Sequence, residues 1–274
     1  MGEIIGFFSA AGGVGKTTIS MLLGYFLKRE GKRVLMIDMD PSVCLSLYIL
    51  GEERVVDLMH KGKTISHLME RTREGDFRQE EFVTEGMIGE VYLDVIISDS
   101  RLSEVVDNIW YGPWAKKELF LSKALRNSKL VDNYDFIILD TIPFYDRKYT
   151  ILTVYASDKY VIPLRPTIID TYRTKNMLAE LPAIASVESK ALNEKSYLLF
   201  NMVKAKSKQV DEIGVYRRLF LESFPGIHVF ENYLKNLVSF SRFGTKEEIG
   251  DDRKDVEKNF LPVYEEFKGF LKVQ

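Results

Sequence analysis

Ser9-Ala10-Ala11-Gly12-Gly13-Val14-Gly15-Lys16-Thr17-Thr18 separates a short apolar run, Ile4-Ile5-Gly6-Phe7-Phe8, from a segment in which Ile19, Leu22, Leu23, Phe26 and Leu27 recur at helical spacing. That order predicts a strand, a glycine-rich loop and a helix. Such a turn lets several backbone N–H groups converge on phosphate oxygens, and the helix N-terminus adds its partial positive charge. Lys16 then reaches the outer phosphates and is a catalytic candidate, Thr17 is placed to ligate a Mg2+ that bridges them, and Thr18 supports it. The cofactor-binding stretch is thus Ala11, Gly12, Gly13, Val14, Gly15, Lys16, Thr17 and Thr18. The strict phosphate-loop pattern asks for glycine where Ala10 stands, so the match fails by one methyl group, and a purely structural turn is the alternative.

Beyond the first helix, Val34-Leu35-Met36-Ile37 predicts a second buried strand that ends at Asp38-Met39-Asp40-Pro41 and completes a βαβ unit. Residues 52–90 are charged and mostly helical in pattern. Strands follow at Leu93–Ile97, Tyr134–Asp140, Tyr160–Pro163 and Tyr197–Asn201. Short β-rich runs alternating with helices predict an α/β fold, a mainly parallel twisted sheet with helices on both faces, as one domain over 1–274. Ligands of such sheets bind outside the carboxyl ends of the strands. Asp38, Asp40, Asp140 and Asn201 all occupy those ends, and Asp140 fits the acid that holds Mg2+. Solvated strand ends are the alternative for the two acids Asp40 and Asp140.

Lys and Arg number 38 against 40 Asp and Glu, a formal net charge of -2, so no global field draws the chain to nucleic acid and any DNA site is a local patch. The single cysteine, Cys44, excludes an intrachain disulfide and fits a reducing compartment. No apolar run reaches membrane-spanning length and no signal peptide precedes the first strand, so the expectation is a cytoplasmic protein. His60, His67 and His228 lack metal-ligand spacing with Cys44.

Gly12-Gly13-Val14-Gly15-Lys16-Thr17-Thr18, then Ile37-Asp38-Met39-Asp40-Pro41, then Tyr134-Asp135-Phe136-Ile137-Ile138-Leu139-Asp140-Thr141-Ile142-Pro143 resemble, in order and spacing, the ParA/MinD family of deviant P-loop ATPases. Further similarity lies in Leu93–Ser98 with Arg101-Leu102, in Ala156-Ser157-Asp158 before Val161-Ile162-Pro163, and loosely in 232–244. Asp-x-Asp-Pro with Ser46 downstream is more similar to the DNA-partition ParA branch than to the MinD branch. The resemblance implies an ATPase with ATP and Mg2+ as cofactors, closing into a homodimer with two ATP molecules between subunits and opening after hydrolysis. It implies that Lys16 holds phosphates, that Thr17, Asp40 and Asp140 surround Mg2+, that Asp40 is the catalytic switch acid near the attacking water, and that Asn201 bonds the adenine. For Asn201, a turn-capping role is the alternative. One departure stands out: the family carries a signature lysine directly before the Gly-Gly pair, and this chain has Ala11 there. A missing cation removes charge stabilisation from the transferring phosphoryl group. Arg147, Lys148 and Arg165 are candidate substitutes, or else solvated surface charges.

The resemblance also implies non-specific DNA binding and a small ParB-like partner protein that stimulates hydrolysis. Lys204, Lys206, Lys208, Arg217, Arg218, Lys235 and Arg242 are the candidate basic patch, with scattered solvated charge the alternative because Asp211, Glu212 and Glu222 are interleaved. Phe260, Val263, Tyr264, Phe267, Phe270 and Leu271 make the last helix amphipathic. Its polar face mixes Glu and Lys, so packing onto the sheet is expected rather than a membrane surface. Trp110-Tyr111-Gly112-Pro113-Trp114 gathers both tryptophans and reads as a docking surface or as aromatics buried beneath a loop. Two readings remain besides the partition ATPase: a catalytically weak nucleotide-dependent switch or scaffold, and a MinD-like positioning protein. An ATP-dependent metabolic ligase on a related fold lacks a recognisable substrate pocket.

Overall fold

Runs such as Val34-Leu35-Met36-Ile37 and Phe136-Ile137-Ile138-Leu139 have no polar alternation, which is the signature of strands buried on both faces. The computed structural model describes residues 2–74, 78–126, 130–204 and 207–271. Among the described residues there are eight strands: β1 (Glu3–Phe7), β2 (Val34–Met39), β3 (Thr84–Ile88), β4 (Val91–Ile96), β5 (Phe136–Thr141), β6 (Lys159–Leu164), β7 (Ser196–Phe200) and β8 (His228–Val229). They form one sheet in the order β3-β4-β2-β5-β1-β6-β7-β8. The pairs β1 with β5, β2 with β5, β2 with β4, β6 with β7 and β7 with β8 are parallel, and β3 runs antiparallel to β4. This is the expected α/β sheet with two additions, β3 and the two-residue β8. The stretch 52–90 is helical over Glu52–His60 and Ile65–Glu74, but Thr84–Ile88 turns through Gly89-Glu90 into a hairpin with β4. Thr84, Glu85 and Gly86 conceal that strand in the sequence, and pairing with β4 overrides the weak local preference.

The described residues divide into two compact units. The first holds the residues up to Phe7, Ser20–Ile142 and Asp146–Asp158. Here the period of two sorts each strand between two layers. Leu35, Ile37, Ile137 and Leu139 share a core with Leu102, Val105, Leu121, Tyr149 and Leu152 from the helices on one face. Met36 and Ile138, partners in register, meet Gly24 of the helix Lys16–Arg29 on the other face. A Cβ on Gly24 would stand 2.7 Å from the Met36 sulfur, so a larger residue there requires the Met36 side chain to shift.

The second unit holds Phe8–Ile19, Pro143–Tyr145 and the chain from Lys159 onward. Its core includes the last helix, Asp252–Leu271, which buries Val256, Phe260, Val263, Tyr264, Phe267 and Leu271. Phe230 packs 4.7 Å from Phe267, and Tyr197 of β7 stacks 3.8 Å from Phe270 and 4.5 Å from His228. The apolar stripe of the last helix is therefore consumed by the fold, and among the described residues no helix is long and apolar enough to cross a membrane.

Candidate functional site

The chain leaves β1 at Phe7 and enters the loop at once. Gly13 (φ 67°) and Gly15 (φ 87°) adopt left-handed backbone, which other residues enter only with strain. Ala10 and Ala11 are outside that region, so the methyl group that breaks the strict motif costs the loop no backbone strain. Nothing lies within 4 Å of where a Cβ on Gly13 would stand, and only Pro143, at 3.8 Å, borders that position on Gly12. Both glycines are exposed, an open cradle bordered by backbone N–H groups at a helix N-terminus, the arrangement that binds anions.

Lys16 opens the helix Lys16–Arg29 with its side chain only 8% exposed. Its Nζ donates to Ser9 Oγ at 3.1 Å, and that hydroxyl donates to the Ala11 carbonyl at 2.7 Å. Ser9 is fully buried and was assigned no role by sequence reasoning; a hydroxyl directly after the first strand is the only signal it offers. Thr17 and Thr18 follow in the first helical turn, each half-buried. Asn201, directly after β7, is buried and donates Nδ2 to the Val14 carbonyl at 2.8 Å while Oδ1 accepts from the Met202 N–H at 2.8 Å. Its amide thus braces the loop across 187 residues of sequence, and a Cβ on Gly15 would meet Asn201 Nδ2 at 2.3 Å. The turn-capping alternative is also visible, in the bond to Met202. A second Nδ2 proton and an Oδ1 lone pair remain for a ligand.

In the first unit, strand register sets Asp38 opposite Asp140, and Asp140 opposite Phe7, the last residue of β1. Asp140 is 1% exposed and Asp40 is half-buried. Asp40 Oδ1 accepts from both the Ser42 N–H (2.8 Å) and the Ser42 hydroxyl (2.7 Å), a turn that fixes the carboxylate. Carboxylates are hard oxygen donors of the kind that Mg2+ takes. Asp38, quoted in the sequence only as a strand end, is fully buried; Oδ1 accepts from the Asp40 N–H (3.0 Å) and Oδ2 from the Ser46 N–H (2.9 Å) and hydroxyl (2.6 Å). Burial pushes its carboxyl up to about 7, the Ser46 hydroxyl opposes that rise, and the charge of Asp140 adds to it. Folding therefore raises this pKa from 3.8. The stability Asp38 contributes is fully present below about pH 4 and is lost as the pH rises through about 7. Thermal unfolding of wild type and Asp38→Asn across that range tests this: the midpoint of wild type falls relative to the variant as pH rises, and a constant difference contradicts the assignment.

Residues 2–195 match a family described as an AAA domain. A probable plasmid-partitioning protein ParA of Thermus thermophilus is 30% identical over 162 residues, which are 59% of this chain and 44% of that protein. The chain belongs to the ParA/MinD family of P-loop ATPases. Among solved structures, the fold is similar to that of an ATP complex of a variant McdA from Cyanothece, with a TM-score of 0.76, 19% identity and coverage of 100% of this chain and 97% of that one. It is also similar to pNOB8 ParA bound to nonspecific DNA, with a TM-score of 0.67, 20% identity and coverage of 99% and 97%.

Against that family background, Ala11 is buried at 7% exposed. Lys148 and Arg165, candidate substitutes for the signature lysine, are held in ion pairs within the fold. Lys148 pairs with Asp107 at 2.7 Å and Asp146 at 3.3 Å, and Arg165 Nε sits 2.5 Å from the buried Asp170. Arg147 is exposed. In the basic stretch, Arg217 donates to the carbonyls of Phe230 and Glu231 and pairs with the Glu231 carboxylate, and Arg242 pairs with Asp252 at 3.6 Å. Lys204, Lys208, Arg218 and Lys235 are exposed, and the bridge from Val203 to Lys235 brings Lys204 close to Lys235. Lys206 lies outside the described residues. Of the aromatic segment, Tyr111 is 76% exposed, Lys148 lies over its ring, and Lys117 bonds the Trp110 carbonyl.

Proposed function

We propose that this chain is a Mg-ATP-dependent ParA-type ATPase, a single nucleotide-binding domain over 1–274, that dimerises with ATP and takes part in plasmid or chromosome partitioning by binding DNA without sequence preference. The observation that carries the reading is the loop at 9–18, with Gly13 and Gly15 left-handed, an open cradle over Gly12 and Gly13, and the buried Lys16 at its end. ATP and Mg2+ are the cofactors: Lys16 and the loop amides hold the phosphates, Thr17, Asp40 and Asp140 surround the metal, Asp40 orients the attacking water, and Asn201 borders the adenine while bracing the loop. McdA, whose fold this chain shares, was solved with ATP, and pNOB8 ParA with nonspecific DNA. Lys204, Lys208, Arg218 and Lys235 supply the charge for phosphate contacts, so DNA binding weakens steeply with salt. A small ParB-like partner and a cytoplasmic setting complete the proposal. The buried stripe of the last helix argues against a MinD-like membrane role.

Ala11 favours a second reading, a nucleotide-dependent switch that assembles but turns over poorly. Phosphate release with Mg-ATP and duplex DNA separates the two. Turnover that depends on Asp40 supports the ATPase; ATP-driven dimers without turnover support the switch and overturn the enzymatic reading.

A further inference from the structure

The segment between β2 and the helix Cys44–Leu50 is a strained, cinched loop. Val43, a β-branched residue, is held at φ 55°, a conformation such side chains avoid and keep only where surrounding bonds impose it. Those bonds converge on two side chains. Asp38 takes the Asp40 N–H on one oxygen and both donors of Ser46 on the other, so one buried carboxylate ties the two ends of the loop together. Ser46, itself fully buried, donates its hydroxyl to Asp38 and accepts the Ser98 N–H at 3.1 Å, which anchors the arrangement to the chain leaving β4. Asp40 has its own Oδ1 spent on Ser42, while Oδ2 takes no hydrogen bond among the described residues.

We infer that Ser46 is a positioning residue for hydrolysis, acting through Asp38 to set the place of the Asp40 carboxylate; this rests on the proposed role of Asp40 at the attacking water. The Ser46 hydroxyl bonds both Asp38 and the Ser98 N–H beyond β4, so its removal lets the loop relax from the Val43 conformation and loosens the Asp40 backbone. A displacement of that carboxylate by about 1 Å costs on the order of 100-fold in rate without a matching loss of binding.

The test compares Ser46→Ala, Ser46→Thr, Asp40→Ala and wild type in the full chain. Hydrogen exchange over 38–46 and labelling of Cys44, the single cysteine and an exposed one, report the loop without any turnover. Ser46→Ala is expected to exchange and label faster, to lose between roughly 10-fold and 100-fold in kcat with KM for ATP within about twofold, and to be rescued by Ser46→Thr, which restores the hydroxyl. If Asp40→Ala loses turnover while Ser46→Ala matches wild type in kcat, or loses KM and kcat equally, the positioning role is overturned and the functional reading stands. If wild type and Asp40→Ala hydrolyse ATP alike, the functional reading itself fails, and the positioning role fails with it.

Discussion

Lys16→Ala is expected to abolish nucleotide-dependent dimerisation. Lys16 is buried and its ammonium is held by Ser9 in the protein itself, so much of its desolvation precedes the arrival of a phosphate. A charged hydrogen bond contributes about 1.5–3 kcal/mol, and a lysine bridging two phosphates makes at least two. The corresponding loss in ATP affinity is roughly 100-fold or more, since each 1.4 kcal/mol is tenfold. Isothermal titration with ATP measures that loss, and the thermal midpoint of the variant checks that the fold survives. A Lys16→Ala chain that still dimerises with ATP contradicts the assignment of the loop.

The second large effect concerns the position before the glycine pair. Ala11→Lys is expected to raise ATP turnover by at least about tenfold, because a cation delivered to a transferring phosphoryl group from a second subunit is worth up to several orders of magnitude. The backbone accepts the change, since Ala11 is not left-handed and its carbonyl bond from Ser9 involves no side chain of its own; with Ala11 only 7% exposed, the new stem has to extend outward past its neighbours. The proposal also requires the gain to be cooperative in protein concentration, since the added lysine acts on the partner's nucleotide. Unchanged turnover with unchanged ATP affinity rejects this account of Ala11. The engagement of Lys148 by Asp107 and Asp146, and of Arg165 by Asp170, leaves neither as a ready stand-in without breaking an ion pair.

The parallel sheet was legible in the sequence because each strand of its centre is an unbroken apolar run closed by a polar residue, and because the loop at 9–18 fixes what precedes and follows it. Two strands were not. β3 carries Thr84, Glu85 and Gly86 and is exposed on alternate residues, so only its pairing with β4 reveals it; β8 is two residues long and too short for any pattern. Candidate site residues could be nominated from the sequence where residue type and strand or loop position coincide, as with Lys16, Thr17 and the strand-end acids. It was not legible where the partner is remote. Asn201 meets Val14 across the whole chain, and Asp38 meets Ser46 on a helix whose register no local spacing sets relative to β2. Ser9 is one serine among many until its bonds to Lys16 and Ala11 are seen. The basic stretch was the least separable, because Arg217 and Arg242 are bound to carbonyls and acids within the fold while Lys204, Lys208, Arg218 and Lys235 are exposed, a distinction that composition does not carry.

The central claim is that ATP, and not ADP, joins two copies of this chain through the loop at 9–18. Light scattering coupled to gel filtration, with Mg2+ and either ATP, a nonhydrolysable analogue or ADP, measures it directly. The account predicts a dimer with ATP and with the analogue and a monomer with ADP; the same mass in all three states contradicts it.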